Sequence, residues 1–271
     1  MRLLFTLGLL ATISFATSVS AVAQWSIQDD SPAQSRESPL IYERKRVTPE
    51  GGNRFFSSRR VDLIWFHSDT HTFRVIDNGP AGSPRYPDLA TAMQKNDCLA
   101  GTNGGFFLRD HTPSGLMVAE GVATGRFGQG SLLSGVVLSS GNRNPYLLRR
   151  AEYGSRHRPT DLLQAGPFLV DQGKQVRGLS DENARRRTFV LHDGGEWFAL
   201  GLADAVTLAQ LGELLSMEAF SPSRRVFRAL NLDGGSSSGF YVARGGRAEP
   251  IHVEPIKTVR NFLGIVPRAT P

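Results

Sequence analysis

The sequence predicts an α+β fold: a single domain on a mixed or antiparallel β-sheet, with about two main helices. Three observations predict it. Short runs rich in Val, Ile, Leu, Phe and Trp recur between clusters of Gly, Pro, Asn and Asp; only two stretches carry a helical period; and strands do not alternate regularly with helices. No internal repeat of solenoid length appears.

The chain opens with Arg2, an apolar run from Leu3 to Phe15, and Ala21-Val22-Ala23 before Gln24. This is the pattern of a signal peptide over residues 1–23, and the apolar run is too short to span a bilayer. A bacterial export product, periplasmic or secreted and without a transmembrane segment, is therefore expected. Removing the peptide leaves roughly 250 residues, enough for one large domain. The polar stretch 24–39 reads as a mobile leader, and the domain is expected over 40–271. The lone cysteine, Cys98, lies in an apolar run, so no intrachain disulfide can form and a buried thiol is expected.

Patterning starts at Leu40-Ile41-Tyr42. Val61–Phe66 and Thr72–Ile76 read as strands joined by a turn. His67, Asp69 and His71 surround that turn, but a turn scatters side chains and no helical two-histidine spacing is present, so no metal site is expected there. Residues 87–94 read as a short helix with Pro87 and Asp88 in its first turn. Strands are expected at 132–138, 146–148 and 164–170, the last interrupted by Gly166-Pro167. Arg185–Leu191 and Trp197–Leu200 form a hairpin around Asp193-Gly194-Gly195. The second helix follows, with Thr207 and Gln210 as a capping box and Leu208, Leu211 and Leu215 on its buried stripe. A final strand covers Thr258–Val266.

Two junctions share one design. Ala229–Asp233 puts Leu230 and Leu232 on one strand face and Asn231 and Asp233 on the other, then reaches Gly234-Gly235 and the hydroxyls of Ser236, Ser237 and Ser238. Cys98–Thr102 delivers Asn103 onto Gly104-Gly105, followed by Phe106 and Phe107. Glycine pairs let a chain turn sharply or approach a ligand closely, so two such junctions suggest one shared cleft.

Gly235-Ser236-Ser237-Ser238-Gly239 formally matches the Gly-x-Ser-x-Gly nucleophile elbow, which needs a following helix. Phe240-Tyr241-Val242 reads as a strand instead, and the only downstream histidine, His252, is nearly adjacent to its candidate acids Glu249 and Glu254. A serine triad is therefore disfavoured. The formal net charge of +6 favours anionic partners mildly. The arginine pairs and triplets lack the interleaved aromatics or helical stripe that nucleic-acid binding requires, and they read mostly as a solvated basic surface.

The ordered set Asn103-Gly104-Gly105-Phe106-Phe107, Pro113-Ser114-Gly115-Leu116, Ala165-Gly166-Pro167, Arg187-Thr188, Asn231–Ser237 and Val259-Arg260-Asn261 resembles the phosphodiester glycosidase family. The resemblance runs from about Val61 to the end. It implies an exported hydrolase that cleaves the bond from a sugar's anomeric carbon to phosphate in a cell-envelope glycan or its precursor.

It also implies roles. Asp233 is the carboxylate acting on water or on the anomeric carbon, and Arg187 clamps phosphate oxygens. Asn103 holds a sugar hydroxyl or positions the water, and Glu120 supplies a second carboxylate. Gly104, Gly105, Thr188, Gly234, Gly235, Ser236, Ser237 and Arg260 complete the substrate-binding set. No cofactor is required, although Asp233 with Asn103 could hold Ca²⁺ or Mg²⁺ through oxygen ligands. The alternative is a non-catalytic glycan-binding module using the same cleft.

Overall fold

The computed structural model describes residues 25–34, 38–49, 58–140, 144–245 and 248–268. The expected signal peptide lies outside the described residues. From the N-terminal side, strands β1 (Trp25–Asp29), β2 (Ile41–Pro49), β3 (Arg59–His67) and β4 (His71–Asp77) precede helix α1 (Leu89–Lys95). Then come β5 (Ala100–Asn103), β6 (Met117–Ala119), β7 (Val122–Thr124), β8 (Gly135–Ser139), β9 (Tyr146–Arg149), β10 (Asp161–Ala165), β11 (Phe168–Asp171) and β12 (Lys174–Gln175). The hairpin of β13 (Arg185–His192) and β14 (Trp197–Val206) leads into helix α2 (Leu208–Ser216). Strands β15 (Arg228–Asn231), β16 (Phe240–Val242), β17 (Ile251–Val253) and β18 (Asn261–Pro267) follow.

The strands form three sheets, in the orders β1-β2-β3-β14-β13-β15-β11-β12, β7-β6-β10-β8-β9 and β17-β16-β5-β18-β4. Every pairing among the described strands is antiparallel. The α+β expectation with two main helices agrees with this architecture.

One apolar cluster is shared by all three sheets, with Phe66 and Phe168 from the first, Leu163 from the second and Phe240 and Leu263 from the third. Outer clusters sit under the helices: Leu211, Leu214 and Leu215 of α2 pack on Trp65 and Phe189, and Leu89, Ala92 and Met93 of α1 pack on Phe262. Strand β3 therefore buries both faces, Ile64 and Phe66 inward and Leu63 and Trp65 outward, which is why its sequence is almost continuously apolar. The α2 capping box forms as expected, with Thr207 Oγ1 accepting the Gln210 N–H at 3.1 Å.

Two sharp connections change sheets. The turn after β3 carries the chain from the first sheet to the third, so β3 and β4 are adjacent in sequence but do not pair. His67 and Asp69 remain close across this turn, 3.6 Å apart, while His71 is buried beside Thr70. The strand expected over 164–170 is two strands, split at Gly166-Pro167 between different sheets. Proline lacks the N–H that would continue the ladder.

Two further expectations need correction. Residues 25–29 of the supposed mobile leader form β1, because Trp25 and Ile27 pack on the α2-side core and the backbone pairs with β2. Several arginine pairs are structural rather than solvated: Arg149 and Arg228 share Asp171 across the face of Phe168, and Arg224 lies over Trp197. Cys98 is buried as expected, and desolvation pushes its thiol up to about 12, so it is inert at neutral pH. Among the described residues no helix is long and apolar enough to cross a membrane.

Candidate active site

Asn103 ends β5 in the third sheet, and Asp233 lies two residues beyond β15 in the first. The two junctions meet directly, the Asp233 N–H donating to the Gly104 carbonyl at 3.0 Å. Asn103 Nδ2 donates to the Asp233 carbonyl at 2.7 Å, and Asn103 Oδ1 accepts the Gly239 N–H at 3.0 Å. Thr188 Oγ1 on β13 donates to the same Asp233 carbonyl at 2.6 Å. The backbone of Asp233 is thus fixed from both neighbouring sheets.

Its carboxylate is treated differently. Asp233 is half-buried, Oδ1 accepts the Gly234 N–H at 2.8 Å, and the Ser237 hydroxyl stands beside it without closing a geometric hydrogen bond. Burial raises the Asp233 pKa above the ordinary aspartate value, while Ser237, the Gly234 N–H and the Lys257 charge pull the other way. No carboxylate other than Asp233 makes a hydrogen bond or ion pair to these junction residues among the described residues.

Cations lie along the junction that carries it. A Cβ at Gly234 would lie 3.6 Å from Arg187 Cδ and 3.8 Å from its Nη1, which places this guanidinium against the junction. Arg187 Nε and Nη2 donate to the carbonyls of Val206 and Asn183. Among the described residues Nη1 has no partner and no acid pairs with the group. Its pKa is lowered by burial and, secondarily, by the like charge of Arg185. Arg185 itself approaches Gly235, where a backbone φ of +65° suits glycine. Lys257, whose charge acts on the Asp233 carboxylate, has its Nζ 4.9 Å from the centroid of Phe107. Beside these groups the Gly235 and Ser236 N–H groups donate to nothing within the described residues, and Ser236 is exposed.

The structure therefore brings Asp233, Arg187, Gly234, Gly235 and Ser236 together and reassigns the rest. Asn103 is 1% exposed with both amide atoms bonded to backbone, so its side chain braces the junctions. Gly104 and Gly105 donate to Asn261 O and Oδ1, leaving no amide for a ligand. Thr188 is buried with its hydroxyl on the Asp233 carbonyl, and Ser237 is buried with its hydroxyl unpartnered among the described residues. Arg260 makes a two-toothed ion pair with Asp77, both contacts at 3.0 Å, and is 6% exposed. Glu120 is an exposed turn residue with φ of +51°, beside Thr160 at the far end of β10 from Gln164.

Lys257 and Arg185 were missed as site residues. Arg185 differs from its neighbours only by register, and nothing local marks Lys257. Glu254, a candidate triad acid, lies 3.2 Å from His252 Nε2 and also accepts the Leu89 and Ala90 N–H groups at the start of α1.

The sequence profile described as phosphodiester glycosidase matches residues 96–266, a span holding both junctions and all three cations. The chain belongs to the phosphodiester glycosidase family. Its fold is similar to that of the zebrafish N-acetylglucosamine-1-phosphodiester alpha-N-acetylglucosaminidase catalytic domain, auto-inhibited by its pro-peptide, with a TM-score of 0.62 and 15% identity over 89% of this chain and 88% of that one. A hypothetical protein from Synechocystis aligns with a TM-score of 0.56 and 14% identity, over 90% of this chain and 68% of that one. No curated protein matches the sequence. Within the matched span Asn103 and Asn261 hold the two junctions together, and the Asp233 side chain is left half-buried at their meeting point.

Proposed function

We propose that this protein is an exported hydrolase that cleaves the anomeric carbon-to-phosphate bond of a glycosyl phosphodiester from a cell-envelope glycan or its precursor. The observation that carries the reading is a half-buried carboxylate, Asp233, on which the Lys257 charge acts, with the guanidinium of Arg187, paired with no acid among the described residues, lying against the adjacent Gly234. A glycosidase acting on an ordinary glycoside needs a second carboxyl to protonate a poor leaving group. A phosphate monoester, with a second pKa near 6, leaves without that proton.

In the proposed reaction Asp233 takes a proton from water as the water oxygen bonds to the anomeric carbon. The bond from that carbon to the phosphate oxygen breaks, and its electron pair leaves with the phosphate. The leaving group gains a negative charge, which the guanidinium of Arg187, the ammonium of Lys257 and the open N–H groups of Gly235 and Ser236 can hold. A raised Asp233 pKa makes the carboxylate a stronger base than an exposed aspartate. The fixed cations supply the countercharge, so the reading requires no cofactor.

The test is Asp233→Asn, assayed on a glycosyl phosphodiester. Turnover is expected to fall by about 10²–10⁴-fold while binding of the intact diester persists. Unchanged turnover, or faster wild-type cleavage of a simple glycoside than of the phosphodiester, removes the proposed reaction.

A further inference from the structure

The group esterified to the phosphate is addressed by a second feature beside the site. Past Gly104-Gly105 the chain carries Phe106 and Phe107 onto one wall of a 440 Å³ depression, whose remaining lining is Ser114, Gly130, Ser131, Leu132 and Leu133. No charged side chain lines it. Leu132 is 53% exposed, and its loop is not slack: Arg150 Nη1 donates to the Gln129 and Gly130 carbonyls, and Gln164 bonds to the backbone of Leu116, Gly128 and Leu133. A leucine is thus held outward by a buried polar brace.

This apolar depression is continuous with the cationic site, because Phe107 forms its wall and also carries the Lys257 ammonium. Two other exposed apolar side chains, Leu108 and Ile256, are the chain neighbours of Phe107 and Lys257. With two serine hydroxyls against four large apolar groups, this wall offers few of the polar side chains that would orient the several hydroxyls of a sugar, and a continuous apolar surface to a hydrocarbon chain. The Lys257 ammonium and the apolar depression sharing Phe107 match a ligand that is anionic at one end and apolar at the other.

We propose that the depression receives the alkyl chain of a lipid alcohol. On the reading that Asp233 hydrolyses a glycosyl phosphodiester, the substrate class is then an amphiphile in which phosphate joins the sugar to a long-chain alcohol. The probes are dodecyl phosphate and methyl phosphate, titrated calorimetrically into the whole protein below the micelle concentration. Dodecyl phosphate is expected to bind at least about tenfold more tightly, since each buried methylene adds to affinity. Leu132→Ser is expected to abolish most of that ratio, and Val122→Ser, an exposed apolar position on the β6–β7 hairpin, to preserve it. Equal affinities, or a ratio that survives Leu132→Ser, overturn the proposal. Turnover of the methyl and dodecyl glycosyl phosphodiesters, measured in parallel, separates the two readings. A chain-length preference without cleavage of either ester supports the depression and removes the reaction, while cleavage of both without preference does the reverse.

Discussion

The two Gly-Gly junctions begin from the same pattern, an apolar run that hands a polar residue to a glycine pair, and they end in opposite roles. Asn103 turns its side chain into the protein and spends both amide atoms on backbone groups. Asp233 has its backbone held and its side chain left at the rim. The chemistry of the two groups explains the difference. A carboxamide carries its own donor and acceptor and can be satisfied in full by an N–H and a carbonyl, so deep burial costs it little. A carboxylate is charged and only accepts, so burying it further would neutralise it. The amide suits the scaffold and the acid suits the chemistry.

The sharpest way to break this comparison is to remove the scaffold half. Asn103→Ala deletes two buried hydrogen bonds and orphans the Gly239 N–H, so denaturant unfolding should report a loss of roughly 2–4 kcal/mol. Turnover should fall as well, because the Asp233 backbone is no longer fixed. A variant that loses turnover with no change in stability would mean that Asn103 touches substrate after all.

Arg187→Met tests the functional half. It should weaken binding of a phosphodiester by about 1.5–3 kcal/mol, roughly 10–150-fold in KM, and cost about 1–2 kcal/mol of stability through the lost bonds to the Val206 and Asn183 carbonyls. Arg260→Met should lower stability through the orphaned Asp77 while KM stays near wild type. A KM effect from Arg260 equal to that from Arg187 would restore it to the substrate-binding set.

Thr188→Val removes one of the two side-chain bonds to the Asp233 carbonyl and should cost about 1 kcal/mol in thermal or denaturant unfolding. The smallest effect concerns pH. The Asp233 pKa is raised in the folded protein, so the unfolded chain loses that proton first and the group reduces stability as pH rises from the usual aspartate range through the folded value. Asp233→Asn should therefore be slightly more stable than wild type at neutral pH, the advantage shrinking on acidification. An advantage that grows in acid would contradict the direction of the shift. In wild type the same shift should place the acid limb of the turnover profile above the usual aspartate range.

Much of the site was legible in the chain, for local reasons. Asp233 and the glycine pairs announce themselves through strand alternation and turn chemistry, Arg187 comes only from the family resemblance, and the capping box of α2 reads directly from Thr207 and Gln210. Glu120 misled because closeness in sequence to Pro113–Leu116 says nothing about which end of a strand a residue occupies. Trp25 and Ile27 misled because two apolar side chains in a polar stretch become a strand only when a core is available to receive them.

By itself, the sequence determined the α+β class, the two helices and the polar residues delivered to each glycine pair, since these follow from periodicity and from the backbone freedom of neighbouring residues. Only the tertiary structure decided that Asn103 is a brace, that Arg260 belongs to Asp77, and that Lys257 faces Asp233. Those assignments depend on which donor and acceptor meet across sheets: Asn103 and Asp233 lie 130 residues apart along the chain. No local pattern encodes a partner at that distance, because the pairing is selected by the packing of three sheets on one core.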